Sequence, residues 1–245
     1  MVACRGKTAL VTNASRREGR VAAMALASAG AQVLVHDDRA THRIEGIVKR
    51  IHAAGGVAKA ITTDTRAPDG PGHLAQQTRA IVGDRLDILV FTAPSPTTPV
   101  GKKLSVAAAF DAQLAVRARA PFVLVQQLLP ILSRGSSVIF TSPRTKETAL
   151  DSIPAYLSAA NTIFGLTRHF SALLKAKGVR VNAIDLASQL SDSPGPSEGQ
   201  KTFRYASNDE SSISRADLQV GEAVTFLASN DAHQITGETI KVAFS

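Results

Sequence analysis

Short apolar runs rich in valine and isoleucine recur along this chain, and nearly every interval between them is filled by a stretch with helical character. Lys7–Thr12 (KTALVT), Gln32–His36 (QVLVH), Val57–Ile61, Asp87–Phe91 (DILVF), Ser137–Thr141 (SVIFT) and Val179–Ile184 (VRVNAI) read as strands. Several are continuous apolar runs, the pattern of parallel strands covered on both faces. Helical stretches lie at Arg20–Ala29, Thr41–Ala54, Gly72–Val82, Leu104–Leu132 with a break expected at Pro121, and Pro154–Lys177, then Ala216–Ser229 before a last short strand at Glu238–Val242. Strand and helix in alternation specify an α/β fold, a three-layer doubly wound parallel sheet. No repeat at a solenoid period is visible.

A chain of 245 residues with 44% hydrophobic composition buries one sizeable core, so the expectation is a single domain over residues 1–245. One segment breaks the rhythm. Ser188–Ser212 contains SDSPGPSEGQ, without an apolar anchor, and residues 188–215 are expected to be a flexible loop or a lid. The longest mostly apolar stretch, Pro121–Leu132, is too short to span a bilayer, and Met1–Leu10 lacks the apolar core of a secretory signal. Cys4 is the sole cysteine, which matches a reducing cytoplasm and leaves no thiol cluster for zinc. The net charge of +8 is scattered along the chain, and with 4% aromatics and no Trp there is little for nucleic acid to stack on. The expected partners are therefore neither nucleic acid nor membrane.

The first strand runs into Thr12-Asn13-Ala14-Ser15-Arg16-Arg17-Glu18-Gly19-Arg20 and an alanine-rich helix that closes at Gly30. Together with DILVF followed by Thr92-Ala93, Tyr156 in a long helix, VRVNAI, and FLAS…ITG near the end, this pattern resembles the short-chain dehydrogenase/reductase family over essentially the whole chain. The resemblance implies a Rossmann-type fold and binding of NAD or NADP. The family's turn reads TGxxxGxG, its glycines permitting a tight turn, close approach of the pyrophosphate, and contact of helix with strand. Gly19 is kept. Asn13 stands at the first glycine, where asparagine tolerates left-handed backbone, and Arg17 stands at the second. Arg17 is read as blocking the phosphates, or as holding one together with Arg16, or as pointing to solvent. Ser15 reads as a helix cap.

Asp37 matches the acid that family members preferring NAD set on the ribose, and Asp64 the acid that contacts adenine; each is equally readable as a turn residue. The family's Asn-Asn-Ala-Gly becomes Phe91-Thr92-Ala93-Pro94, and its Pro-Gly beside the nicotinamide becomes Leu186-Ala187. The expected cofactor is accordingly none, or NAD or NADP bound weakly.

Catalysis in the family resembles a relay of Asn, Ser, Tyr and Lys, with lysine four residues after tyrosine on one helix face. Tyr156 is followed at that spacing by Ala160. An unassisted tyrosine titrates near about 10, which leaves roughly one molecule in a thousand ionised at neutral pH, a deficit of about 4 kcal/mol. The serine position falls on Pro143, with Ser142 one place earlier, and the asparagine position on Arg117, a cation able to stand in for the lysine or simply a basic helix residue.

Other chemistries are poorly supported. The six histidines lack HxxxH and HExxH spacing, so no metal is expected, and no GxSxG occurs for a hydrolase. Halohydrin dehalogenases resemble this family and use an arginine four residues after the tyrosine, again Ala160 here; Arg117 or Arg144 would have to replace it. Apolar residues surround more than one face of Pro154–Lys177, which points to oligomers. The leading expectation is a catalytically impaired structural or regulatory subunit, a dimer or tetramer formed with itself or a complete paralogue. The alternative is an active NAD(P)H-dependent oxidoreductase using Tyr156 with Ser142 or Arg117.

Overall fold

The structure is a computed structural model that describes residues 3–39, 42–92, 105–142, 153–186 and 215–242, with the backbone alone over 153–160 and 215–216. Its seven strands are β1 (Thr8–Val11), β2 (Gln32–Asp37), β3 (Val57–Thr62), β4 (Ile88–Thr92), β5 (Ser137–Thr141), β6 (Arg180–Asp185) and β7 (Thr239–Lys241). They form one parallel sheet in the order β3-β2-β1-β4-β5-β6-β7. The helices are α1 (Arg17–Ser28), α2 (His42–Ala53), α3 (Gly70–Val82), α4 (Val106–Leu114), α5 (Ala120–Leu128), α6 (Ile153–Leu174) and α7 (Arg215–Ala228). The doubly wound α/β sheet expected from the alternation is what the chain forms.

Strand side chains alternate across the sheet, and the chain uses both faces. Ala9, Val11, Val33, Val35, Ile88 and Ile139 face one way, against α1, α2 and α7. Leu10, Leu34, Leu89, Phe91, Val138 and Phe140 face the other, against α3, α5 and α6. This double burial explains why the strands read as unbroken apolar runs rather than as alternating ones.

At the amino edge of the sheet, polar side chains cross-link neighbouring elements. The Thr8 amide donates to Asp87 Oδ2 at 2.9 Å and Arg85 Nε donates to Asp87 Oδ1 at 2.6 Å. Lys7 Nζ donates to the Ala228 carbonyl at 2.8 Å and Arg180 Nη2 to the Ser229 carbonyl at 3.1 Å, so two cations meet the carboxyl end of α7, where the helix dipole favours them. Ser136 and Ser137 donate to the carbonyls of Leu86 and Leu227.

One local expectation is corrected. The stretch from 106 to 128 does not break at Pro121; a π-helical turn, Ala115–Arg119, joins α4 to α5 just before it. Proline has no amide to give the carbonyl four residues earlier, which belongs to Arg117. That carbonyl instead accepts from Thr162 Oγ1 of α6 at 3.3 Å. Widening the helix relieves the proline and leaves the chain continuous.

Candidate functional site

Of the residues singled out by the sequence, Asn13, Arg16, Arg17, Asp37, Asp64 and Ser142 lie at or just past the carboxyl ends of β1, β2, β3 and β5, the edge at which open α/β sheets bind ligands. β1 leads into a turn whose Asn13 has φ of 50°, the only positive value at a non-glycine among the described residues. Its Nδ2 donates to the Thr92 carbonyl at 2.8 Å, tying the turn to the end of β4. Thr12 and Thr92 bond reciprocally beside it, each through its hydroxyl and backbone. Asparagine thus supplies both the left-handed conformation and a cross-strand bond. Gly19 is required for close approach, because a Cβ there would lie 2.6 Å from the Asn13 carbonyl oxygen and 2.8 Å from Ala14 Cα.

The amides of the turn are met from inside the protein. Asn13 N–H donates to His36 Nδ1 at 3.4 Å, Ala14 N–H to the His36 carbonyl at 2.8 Å, and Ser15 N–H to Asp37 Oδ2 at 3.1 Å. Arg16 N–H donates to the Asn13 carbonyl at 3.0 Å. Ser15 does not cap α1: the helix begins at Arg17, three residues before the start that the periodicity indicates, and the capping position is Arg16, which makes no side-chain cap bond. Arg17, first residue of α1, forms a two-pronged ion pair with Asp217 in the first turn of α7, Nε to Oδ1 at 2.6 Å and Nη2 to Oδ2 at 2.5 Å. The hydrogen bond to Asp217 raises the guanidinium above its ordinary pKa. None of the three readings of Arg17 included this partner, 200 residues away in sequence.

His36, which the sequence reading passed over, is fully buried beneath the turn. Its Nε2 donates to the Thr63 carbonyl at 2.9 Å while Nδ1 accepts from Asn13, a pattern served by the neutral Nε2–H tautomer. Burial pushes its pKa down, against the bond to Thr63 and the carboxylates of Asp38, Asp37 and Asp64, which pull it up. The folded protein therefore binds this proton less readily than the unfolded chain, and stability is expected to fall as pH drops below about 6.5, by up to about 1.4 kcal/mol per pH unit. Denaturant unfolding at pH 7.5 and 5.5 checks this; if His36→Asn loses as much stability between the two as the wild type, His36 is not the source.

On the β3 side, Asp64 is held by Arg66, whose Nε and Nη2 reach its two oxygens at 2.7 Å each, and this bonding keeps Asp64 below the usual carboxylate range. Asp38 accepts from the Thr65 amide and hydroxyl at 3.0 and 2.6 Å.

Of the relay positions, Ser142 follows β5 with its amide still on the Ile184 carbonyl. Its hydroxyl donates to Asp185 Oδ1 at 2.8 Å and accepts the Leu186 amide at 2.8 Å, so its one proton is committed to Asp185. Arg117 lies in the π turn, wholly buried, with Nε donating to Gln113 Oε1 at 2.9 Å. Tyr156 and Ala160 lie one turn apart on α6. The side chain of Tyr156, together with Ala93, Pro143 and most of the 188–215 segment, falls outside the described residues.

Among the described residues no group of three His, Cys, Asp or Glu is placed to hold a metal, and no helix is long and apolar enough to cross a membrane. A surface depression of about 470 Å³ lies between α3 and α5, lined by residues that include His73, Arg79 and Gln127, and contains none of the candidate site residues.

A family profile described as enoyl-(acyl carrier protein) reductase matches residues 18–243. The chain belongs to the short-chain dehydrogenase/reductase family. An uncharacterized oxidoreductase of Mycobacterium tuberculosis is 30% identical over 243 residues, covering 96% of this chain and 90% of the relative. A dehydrogenase/reductase from Sinorhizobium meliloti superimposes with a TM-score of 0.78 at 27% identity, over 99% of this chain and 95% of that one. An angucycline C-6 ketoreductase solved with bound NADP is 28% identical with a TM-score of 0.72, over 98% of this chain and 95% of that one.

Proposed function

We propose that this family member is a catalytically impaired structural or regulatory subunit that binds NAD(P) weakly or not at all. The observation that carries the reading is that three of the groups expected to meet a dinucleotide are already held by other groups of the protein. Arg17 is held by Asp217, the Ser15 amide by Asp37, and both oxygens of Asp64 by Arg66. A dinucleotide would have to break these bonds and supply their equivalents, and an affinity gained that way is small. No catalytic step through the cofactor follows from this arrangement, and Ala160 offers no ammonium to lower the pKa of Tyr156.

Exposed apolar side chains support the subunit role. Phe122 of α5 packs against His169 and Phe170 of α6, and Phe122 and Leu173 remain exposed on these helices, as do Leu218 and Phe226 on α7. We assign these surfaces to a homo- or hetero-oligomer, a dimer or tetramer, with a complete paralogue as the fitting partner. Sedimentation of the protein alone and mixed with such a paralogue is expected to show association; a monomer under both conditions removes the subunit reading.

Thermal unfolding with about 1 mM NADH or NADPH tests the cofactor. A dissociation constant near 10 µM would raise Tm by roughly 5–10 °C at that concentration, whereas we expect a shift below about 1 °C. Micromolar binding in calorimetry overturns the proposal in favour of the second reading, an active NAD(P)H-dependent oxidoreductase. That reading draws support from the ketoreductase solved with NADP.

A further inference from the structure

We propose that Arg17 and Asp217 form an autoinhibitory clasp, which holds the arginine at the start of α1 against phosphate and bolts the first turn of α7 to the nucleotide turn. The inference rests on the reading of the site given above and adds the device that enforces it.

Two independent features set α1 and α7 in the same register. At Gly221 a Cβ would lie 3.1 Å from Ala25 Cβ and 3.5 Å from Val21 Cγ1, so the helices approach as closely as small residues allow. Arg17 stands four residues before Val21 and Asp217 four before Gly221, so the ion pair sits one turn along from that contact on the same sides of both helices. The helices run with their amino ends together, and each end carries partial positive charge. Arg17 at the first position of α1 adds to that charge and Asp217 offsets it.

The pair is asymmetric in exposure: the Arg17 side chain is 44% exposed and that of Asp217 only 6%. A phosphate recruiting Arg17 must compete with a two-pronged carboxylate and would take from Asp217 its guanidinium partner in a buried position. Opening the turn and loosening the start of α7 are therefore one event.

The test uses the full chain and needs no nucleotide for its first readout. In hydrogen exchange, the amides of residues 219–222, the first that α7 bonds within itself, are expected to exchange at least tenfold faster in Arg17→Gly and in Asp217→Asn. The exchanged pair Arg17→Asp/Asp217→Arg should return to within about threefold of wild type, which separates a clasp from general damage to the fold. Unchanged exchange in both single variants overturns the clasp. In calorimetry, Asp217→Asn is expected to bind NADH or NADPH at least tenfold more tightly than wild type. If only Arg17→Gly improves binding, the bar is the bulk of the arginine and the autoinhibitory role is overturned. Micromolar binding by the wild type, with exchange still dependent on the pair, overturns the impaired-site reading and supports the coupling of α1 to α7 alone.

Discussion

Gly70→Ala is expected to destabilise the protein by at least about 3 kcal/mol and to lower Tm by roughly 10 °C. A Cβ on Gly70 would lie 1.9 Å from the carbonyl oxygen of Asp64 and 3.0 Å from Thr65 Cα, and both are backbone atoms that cannot swing aside. Relief would require moving the start of α3 away from the segment after β3, the segment that carries Asp64, Thr65 and Arg66. Gly72, two residues on in the same helix, is the internal control, because a Cβ there meets nothing within 4 Å. Gly72→Ala should be neutral or stabilising by up to about 1 kcal/mol, from helix propensity alone. Differential scanning calorimetry of the two variants checks both signs, and equal effects would contradict the steric argument.

Arg117→Ala is expected to cost about 3 kcal/mol in denaturant unfolding, since Arg117 heads the fully buried side chains of the described structure by size and its removal leaves both a cavity and Gln113 without its donor. Arg117→Lys keeps the charge but cannot present the same Nε, and should fall between wild type and alanine. If Arg117 lay in the fold without supporting it, as a surface cation does, alanine would cost less than about 0.5 kcal/mol. The substitution that reads in sequence as a lost catalytic asparagine is thus also a piece of core, and reverting it to asparagine would leave that volume unfilled.

The strands and most helices were legible because burial on both faces writes itself into local sequence: runs such as DILVF and SVIFT have no other economical use. Asn13 was legible for a similar reason, since few side chains accept its φ of 50°. The partners of the site residues were not. Asp217 for Arg17, Asp185 for Ser142 and His36 for the turn amide are ordinary residues in their own segments, and nothing local distinguishes them. Their roles arise from the order in which the strands are laid down and from two helices lying in parallel, both of which are properties of the whole chain. Pro121 shows the intermediate case: the sequence announces a disturbance there, while its resolution by a π turn and by Thr162 depends on a neighbouring helix.

The cross-links at the amino edge of the sheet bear on which substitutions the fold can absorb. Asp87, Lys7, Arg180, Ser136 and Ser137 join β1, β4, β5, β6 and the end of α7 at the margin opposite the candidate site. Part of the fold is thereby fastened at the margin away from the candidate site, independently of the Asn13, Gly19 and Gly70 contacts at the carboxyl margin. A substitution at the carboxyl rim that spares Gly19 and Gly70 therefore leaves these fastenings untouched, and the sheet keeps its order beneath a changed rim.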